Sequence, residues 1–166
     1  EPKLKLREKA AIDMAKKEYE KEMEFYKMIQ YLFYRQWKSL KQYANDKGVS
    51  IIGDVPIYVA MDSADVWAEP GQFYLDQKLQ PIDVAGCPPD AFSEDGQLWG
   101  NPLFRWDVMK KDGYRWWIRR IEKTSKLFDV IRIDHFRGFD SYYAIPFGDK
   151  TARNGEWREG PGLDLF

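Results

Sequence analysis

Six of the chain's nine prolines lie between residues 54 and 112: Pro56, Pro70, Pro81, Pro88, Pro89 and Pro102. Proline fixes φ and removes a backbone donor, so this spacing forbids a long helix or a long central strand anywhere in the stretch. Gly71, Gly86, Gly96 and Gly100 add turns to it. It is also dense in rings (Tyr58, Trp67, Phe73, Tyr74, Phe92, Trp99, Phe104, Trp106), whereas disordered segments are poor in aromatics. Structureless loops this long are uncommon in compact domains and are mostly functional. The expectation is therefore an ordered, irregular excursion with a binding role.

The flanks are regular. Residues 3–24 alternate Lys, Arg and Glu with thinly spread Leu4, Leu6, Ala11, Met14 and Ala15, which predicts a solvated helix carrying i,i+4 charge pairs. From Phe25 the apolar positions Ile29, Leu32, Phe33, Leu40 and Tyr43 recur at helical steps, and Gly48 supplies a stop. Val49 to Ile52 then read as a short buried strand. Beyond the excursion, Asp112 is placed to cap a helix whose face is Tyr114, Trp117, Ile118, Ile121 and Phe128. Asp129 to Ile133 read as a second strand, followed by a Gly/Pro-punctuated segment. Helix–strand, excursion, helix–strand is the α/β pattern, with two parallel strands joined by a right-handed crossover. The predicted organisation is a helical segment over 1–48 and an α/β body over 49–166, the excursion inserted at about 54–112.

Charge bears on the class of partner. With 26 Lys and Arg against 27 Asp and Glu, the net charge is -1, which argues against a nucleic-acid module and against an anionic membrane as the main partner. No apolar run approaches a membrane span. One cysteine, Cys87, allows no intramolecular disulfide and suits a reducing, cytoplasmic setting. One histidine, His135, excludes any metal site that needs two imidazoles. At 166 residues the chain falls short of the roughly 250 of a complete (β/α)8 barrel, so a barrel enzyme read here is expected to be a piece of one. It opens on Glu1, so its natural start is expected to be processed or to lie upstream.

The candidate chemistry gathers at the two strand ends. Strand alternation puts Arg132 and Asp134 on one face, Ile131 and Ile133 on the other. An adjacent guanidinium keeps a carboxylate ionised and available as a nucleophile, and α/β proteins bind ligands beyond the carboxyl ends of their strands. The same pair could equally be a structural ion pair. Asp54 occupies the matching place after the first strand, where a turn or cap role competes. His135 could serve as a general base or a hydrogen-bond donor to substrate, and least readily as a metal ligand, because no second His or Cys lies nearby in the sequence. A Cys87–His135 dyad is conceivable, but Gly86-Cys87-Pro88-Pro89 suits a small buried residue. The segments Pro88 to Ser93 and Gly96 to Pro102 offer rings for the apolar faces of sugars, and Asp, Gln and Asn for their hydroxyl edges. Phe92 and Trp99 could instead plug the loop onto the body.

Longer motifs narrow these choices. Ile52 to Ala60 (IGDVPIYVA), Asp62 to Trp67 (DSADVW), Pro88-Pro89-Asp90, Gly96 to Pro102 (GQLWGNP), Arg132 to Phe139 (RIDHFRGF) and Gly155-Glu156-Trp157 with Gly160-Pro161-Gly162 stand in order along the chain. This series resembles the 4-alpha-glucanotransferases, also called amylomaltases or disproportionating enzymes, from about Phe25 onward. The resemblance implies a (β/α)8 barrel related to the alpha-amylases, of which this chain would hold strands three and four with their helices and a long inserted loop region. It implies transfer of alpha-1,4-glucan segments between maltooligosaccharides by a retaining double displacement, with no metal or organic cofactor. It makes Asp134 the nucleophile, with Arg132 and His135 beside it. Asp54, Tyr58, Asp90, Phe92, Gln97 and Trp99 would then bind sugar. Ala91 stands where many members carry tyrosine. The family's acid/base glutamate and third carboxylate are expected beyond Phe166, so the chain alone is expected to be inactive and to self-associate through unpaired strands. The rival readings are a non-catalytic glucan-binding module and an interaction helix over residues 1–47.

Overall fold

The computed structural model describes residues 2–166, which form a mixed α/β chain of two compact units. The first comprises residues up to 54 together with 121–132, the second 55–120 together with 133–166.

The first unit opens with helices α1 (Pro2–Lys5), α2 (Lys9–Glu18) and α3 (Glu20–Asp46). The predicted charge pairs are present, Lys9 on Asp13 at 3.1 Å and Lys27 on Glu24 at 2.6 Å. Gly48 ends α3 as expected, at φ +74° with its N–H on the Asn45 carbonyl. The 27 residues of α3 bury no side chain fully. Trp37 is its anchor: the indole N–H donates to the Leu127 carbonyl at 2.8 Å and the ring meets Phe128 edge-on at 5.7 Å.

Two strands follow, β1 (Ile52–Pro56) and β4 (Val130–Asp134), hydrogen-bonded as a pair. Asp129 and Val130 donate to Ile51 near the start of β1, and Arg132 meets Asp54 three residues on. Both contacts advance in the same direction, so the strands run parallel, as the crossover pattern predicts. β1 begins later than the predicted Val49–Ile52. Val49 is committed to closing α3, its N–H donating to Ala44 and its carbonyl accepting from Asn45, and cannot join a ladder. Asp54 consequently lies inside β1 and not after it. The predicted burial of the first strand is also corrected, since Ile52 is 65% exposed; Val130 of β4 is 50% exposed. Asp129 stitches the unit together by accepting from Ile51 N and Asn45 Nδ2, each at 2.8 Å, with Lys41 at 3.1 Å.

The second unit overturns the picture of an irregular excursion. Strands β2 (Asp83–Cys87), β3 (Gln97–Pro102), β5 (Ser141–Pro146) and β6 (Glu156–Glu159) form an antiparallel sheet in the order β3-β2-β5-β6. The prolines are compatible because they sit at strand ends: Pro102 closes an edge strand, Pro146 closes β5 and Pro88 follows β2. Val84, Tyr143, Ile145 and Ala152 form a buried cluster on this sheet. Helices α4 (Ala64–Ala68), α5 (Trp106–Lys111) and α6 (Arg115–Ser125) complete the regular structure, the last turn of α6 belonging to the first unit. Asp112 does cap α6, accepting from Arg115 N at 3.2 Å. Phe73, Phe104, Trp116, Trp117 and Phe139 pack ring on ring at 4.9–6.1 Å. Arg120 lies over Trp117 at 4.9 Å and donates to the carbonyls of Pro56 and Ile57, fixing the chain where β1 ends.

Candidate functional site

The sequence-predicted residues fall into two groups. In the first unit Arg132 holds Asp54 with a two-point grip, Nε on Oδ1 at 3.1 Å and Nη2 on Oδ2. The guanidinium that sequence alternation sets beside Asp134 is thus engaged by the carboxylate of the neighbouring strand.

In the second unit a cleft of about 190 Å³ is lined by Tyr58, Trp99, Asn101, Asp134 and His135, with Pro56 and Ile57. Asp134 ends β4 with its side chain exposed, and it accepts no hydrogen bond among the described residues. His135 follows in the left-handed region, φ +54°, ψ +41°, turning the chain sharply out of the strand. Gly138 makes room for that turn. It donates to the His135 carbonyl at 2.9 Å, and a Cβ on it would lie 2.8 Å from Ile57 Cδ1 and 3.3 Å from His135 Cδ2. Burial holds the imidazole below its ordinary pKa, Asp134 opposing this and Arg137 adding to it. Burial likewise pushes the Tyr58 phenol well above its ordinary value, with smaller contributions from Tyr142 and Cys87. Tyr58 therefore remains a neutral hydroxyl at working pH.

Trp99 rises from β3 and stands edge-to-face to His135, ring centres 4.8 Å apart and planes at 88°. It is 37% exposed, so it does not plug the core. Its indole N–H donates to Gln97 Oε1 at 3.0 Å. Asp90 turns the loop by accepting from the N–H groups of Phe92 and Ser93, both at 2.8 Å. Phe92 projects from that turn, 98% exposed. The structure thus brings Tyr58, Trp99, Asp134 and His135 to one cleft, whereas Asp90 and Phe92 occupy a separate loop tip outside its lining. Burial raises the Cys87 thiol, which works against a thiolate nucleophile. Among the described residues no cluster of His, Cys, Asp and Glu is arranged to hold a metal ion.

Two residues hold positions that the sequence reading did not give them, Asn101 having been read there only as an amide for sugar hydroxyls. Asn101 lines the cleft and donates to the Val59 carbonyl at 2.9 Å, tying β3 to the segment after β1. Its signal was its place in Gly100-Asn101-Pro102. Arg120 had only its spacing from Trp116 and Trp117, which puts all three on neighbouring turns of α6.

Fold and cleft together define a mixed α/β protein whose strand-end carboxylate opens between aromatic walls. The sequence model of the 4-alpha-glucanotransferase family matches residues 1–166, and the chain belongs to that family. It is 51% identical over 164 residues to a 4-alpha-glucanotransferase of Clostridium butyricum, covering 98% of this chain and 34% of that protein. A chloroplastic/amyloplastic 4-alpha-glucanotransferase of Solanum tuberosum is 52% identical over 166 residues, covering 98% of this chain and 28% of that protein. Among solved structures, an amylomaltase from Streptococcus agalactiae in complex with acarbose superposes with a TM-score of 0.96 at 45% identity, covering 99% of this chain and 33% of that one. The chain spans about a third of the length of the curated relatives it matches.

Proposed function

We propose that this chain supplies the nucleophile of a 4-alpha-glucanotransferase acting on alpha-1,4-glucans and maltooligosaccharides. The observation that carries the reading is Asp134, a carboxylate with no hydrogen bond of its own among the described residues, at the carboxyl end of a strand and facing a ring-lined cleft. In this reading an Asp134 oxygen attacks the anomeric carbon and the glycosidic bond breaks as an acid protonates the departing sugar oxygen. An acceptor hydroxyl then gives up its proton to the same group and displaces Asp134, so configuration is retained. The acid must lie about 5–5.5 Å from the nucleophile, and we assign that role to no residue of the chain. Tyr58 and Trp99 present ring surface to the sugar, with Gln97, Asp54, Asp90 and Phe92 as further contacts. Arg132 orients Asp54 and His135 neighbours the nucleophile.

β1 and β4, parallel and each preceded by a helix, are taken as strands three and four of a (β/α)8 barrel. Residues 1–48 lead into it, and the substrate loop lies within 54–112. Among the described residues no helix is long and apolar enough to cross a membrane. The lone thiol fits a reducing compartment, for which we propose the cytoplasm.

The test replaces the matching segment of the Clostridium butyricum relative by residues 1–166 and assays the chimera with maltotriose. Release of glucose together with longer oligosaccharides supports the reading. A folded chimera that binds maltotriose without rearranging it favours a glucan-binding segment instead. The 166-residue chain alone is expected to produce neither product.

A further inference from the structure

His135 carries an unexplained atom. Its Nε2 is buried, yet no donor or acceptor among the described residues reaches it. Buried polar atoms are paired in the great majority of cases, and an orphan calls for a physical account. Next to it stands the Trp99 indole, perpendicular to the imidazole at 88° with centres 4.8 Å apart. An aromatic face is electron-rich and accepts N–H groups that point into it. The Tyr58 ring is tilted at 36° and 6.3 Å from the imidazole, a poorer arrangement for such a contact.

We infer that the indole face of Trp99 is the partner of His135 Nε2–H, and that Trp99 is thereby a positioning residue for the histidine beside Asp134. The indole is itself fixed, since its N–H is held by Gln97 Oε1 at 3.0 Å and Gln97 pairs with Cys87 in the β2–β3 ladder. A line of contacts thus runs from the sheet through Gln97 and Trp99 to His135. Its consequence is a choice of tautomer. With the proton held on Nε2, Nδ1 is left as the lone-pair nitrogen. His135 can then accept one hydrogen bond there, from a sugar hydroxyl or water, while its ring stays locked in the left-handed turn after β4. The catalytic meaning of this choice rests on the function proposed above; the contact itself does not.

The chain has one histidine, so its imidazole signals need no assignment among rivals. The experiment labels the 166-residue chain with 15N-histidine and reads both ring nitrogens and the ring protons above the imidazole's titration. Expected is a dominant Nε2–H tautomer, with a ring proton displaced upfield by the indole face. Trp99→Leu is expected to shift the tautomer ratio by roughly two- to fivefold, the scale of one weak contact, and to abolish the upfield displacement. Trp99→Phe keeps a ring face and is expected to restore much of both signatures. Gln97→Leu frees the indole and is expected to weaken them. A dominant Nδ1–H tautomer in the parent chain overturns the inference. So does a tautomer ratio left unmoved in those of the variants that fold. No sugar enters the measurement, so a chimera inactive on maltotriose refutes the proposed function without touching this contact.

Discussion

Arg132 of β4 holds Asp54 of β1 across the parallel pair, Nε 3.1 Å from Oδ1 and Nη2 on Oδ2. Both side chains are half-exposed or more, at 69% and 51%, where such pairs contribute about 0–1 kcal/mol. Asp54→Asn is therefore expected to leave urea-denaturation stability within about 1 kcal/mol of the parent chain. In the chimera the same change, and Arg132→Lys, which loses the planar fork, are expected to lower transfer by up to about a hundredfold through misplacement of reacting groups. A stability loss above about 3 kcal/mol, the scale for breaking a buried pair, would show that the pair serves the fold.

One residue before Asp54, Gly53 lies under the Phe128 ring, and a Cβ there would come within 2.0 Å of Phe128 Cδ2. Either the ring or the strand must move. Gly53→Ala is expected to cost about 1–3 kcal/mol by overpacking, read by chemical denaturation. Phe128→Leu in the same chain is expected to recover part of that loss. Additive losses in the double variant would mean that the ring does not touch position 53.

Much of this arrangement was legible because it is local. Period-three-and-four spacing gave α3 and α6, Gly48 and Asp112 marked their ends, and alternation along Val130 to Asp134 put Arg132 and Asp134 on one face. The site residues that came together, Tyr58, Trp99, Asp134 and His135, were all named by motif. What stayed hidden depends on pairing. Proline density argued against the β2–β3–β5–β6 sheet, because nothing in sequence tells a proline closing an edge strand from one breaking a central strand. Val49 looked like strand and was claimed by the end of α3 through Asn45 and Ala44. The grip of Arg132 on Asp54 joins positions 78 apart, which no periodicity reports.

Asp134→Asn keeps the shape of the side chain and removes the charge that would attack carbon. The native carboxylate accepts no hydrogen bond among the described residues, so the thermal midpoint is expected to move little. Transfer by the chimera is expected to fall by about three orders of magnitude or more, since losing a covalent nucleophile is rarely compensated. Retention of more than roughly a hundredth of parental turnover would remove Asp134 from the nucleophile's role.

His135 titrates below its ordinary value because it is buried, against the opposing pull of Asp134. The unfolded chain therefore takes up this proton more readily than the folded one. The contribution is fully present above the unfolded pKa of about 6.5 and is lost as pH falls toward the lower folded value. Asp129, held below the carboxylate range chiefly by the Ile51 N–H, acts in the same direction at lower pH. His135→Gln is expected to flatten the fall in stability between about pH 7 and 5 while leaving the more acidic limb. Urea titrations of both chains at matched pH check this, and parallel curves would show that His135 does not titrate out of step.

The long helix carries the last prediction. Phe25, Tyr26, Tyr31 and Leu40 of α3 are 59%, 60%, 61% and 54% exposed, and no residue of that helix is fully buried. The outer strands β3 and β6 add sheet edges with unpaired backbone groups. Exposed apolar surface of this kind is removed from water most directly by a second copy of the chain. Light scattering of the 166-residue chain over a hundredfold concentration range is expected to show a mass that rises with concentration. Phe25→Lys with Leu40→Lys is expected to lower that mass without changing helix content by circular dichroism, because both side chains are more than half exposed and lysine is a good helix former. A monomer at every concentration would mean that α3 tolerates its exposed face, and association undiminished by the two lysines would move the contact to the strand edges.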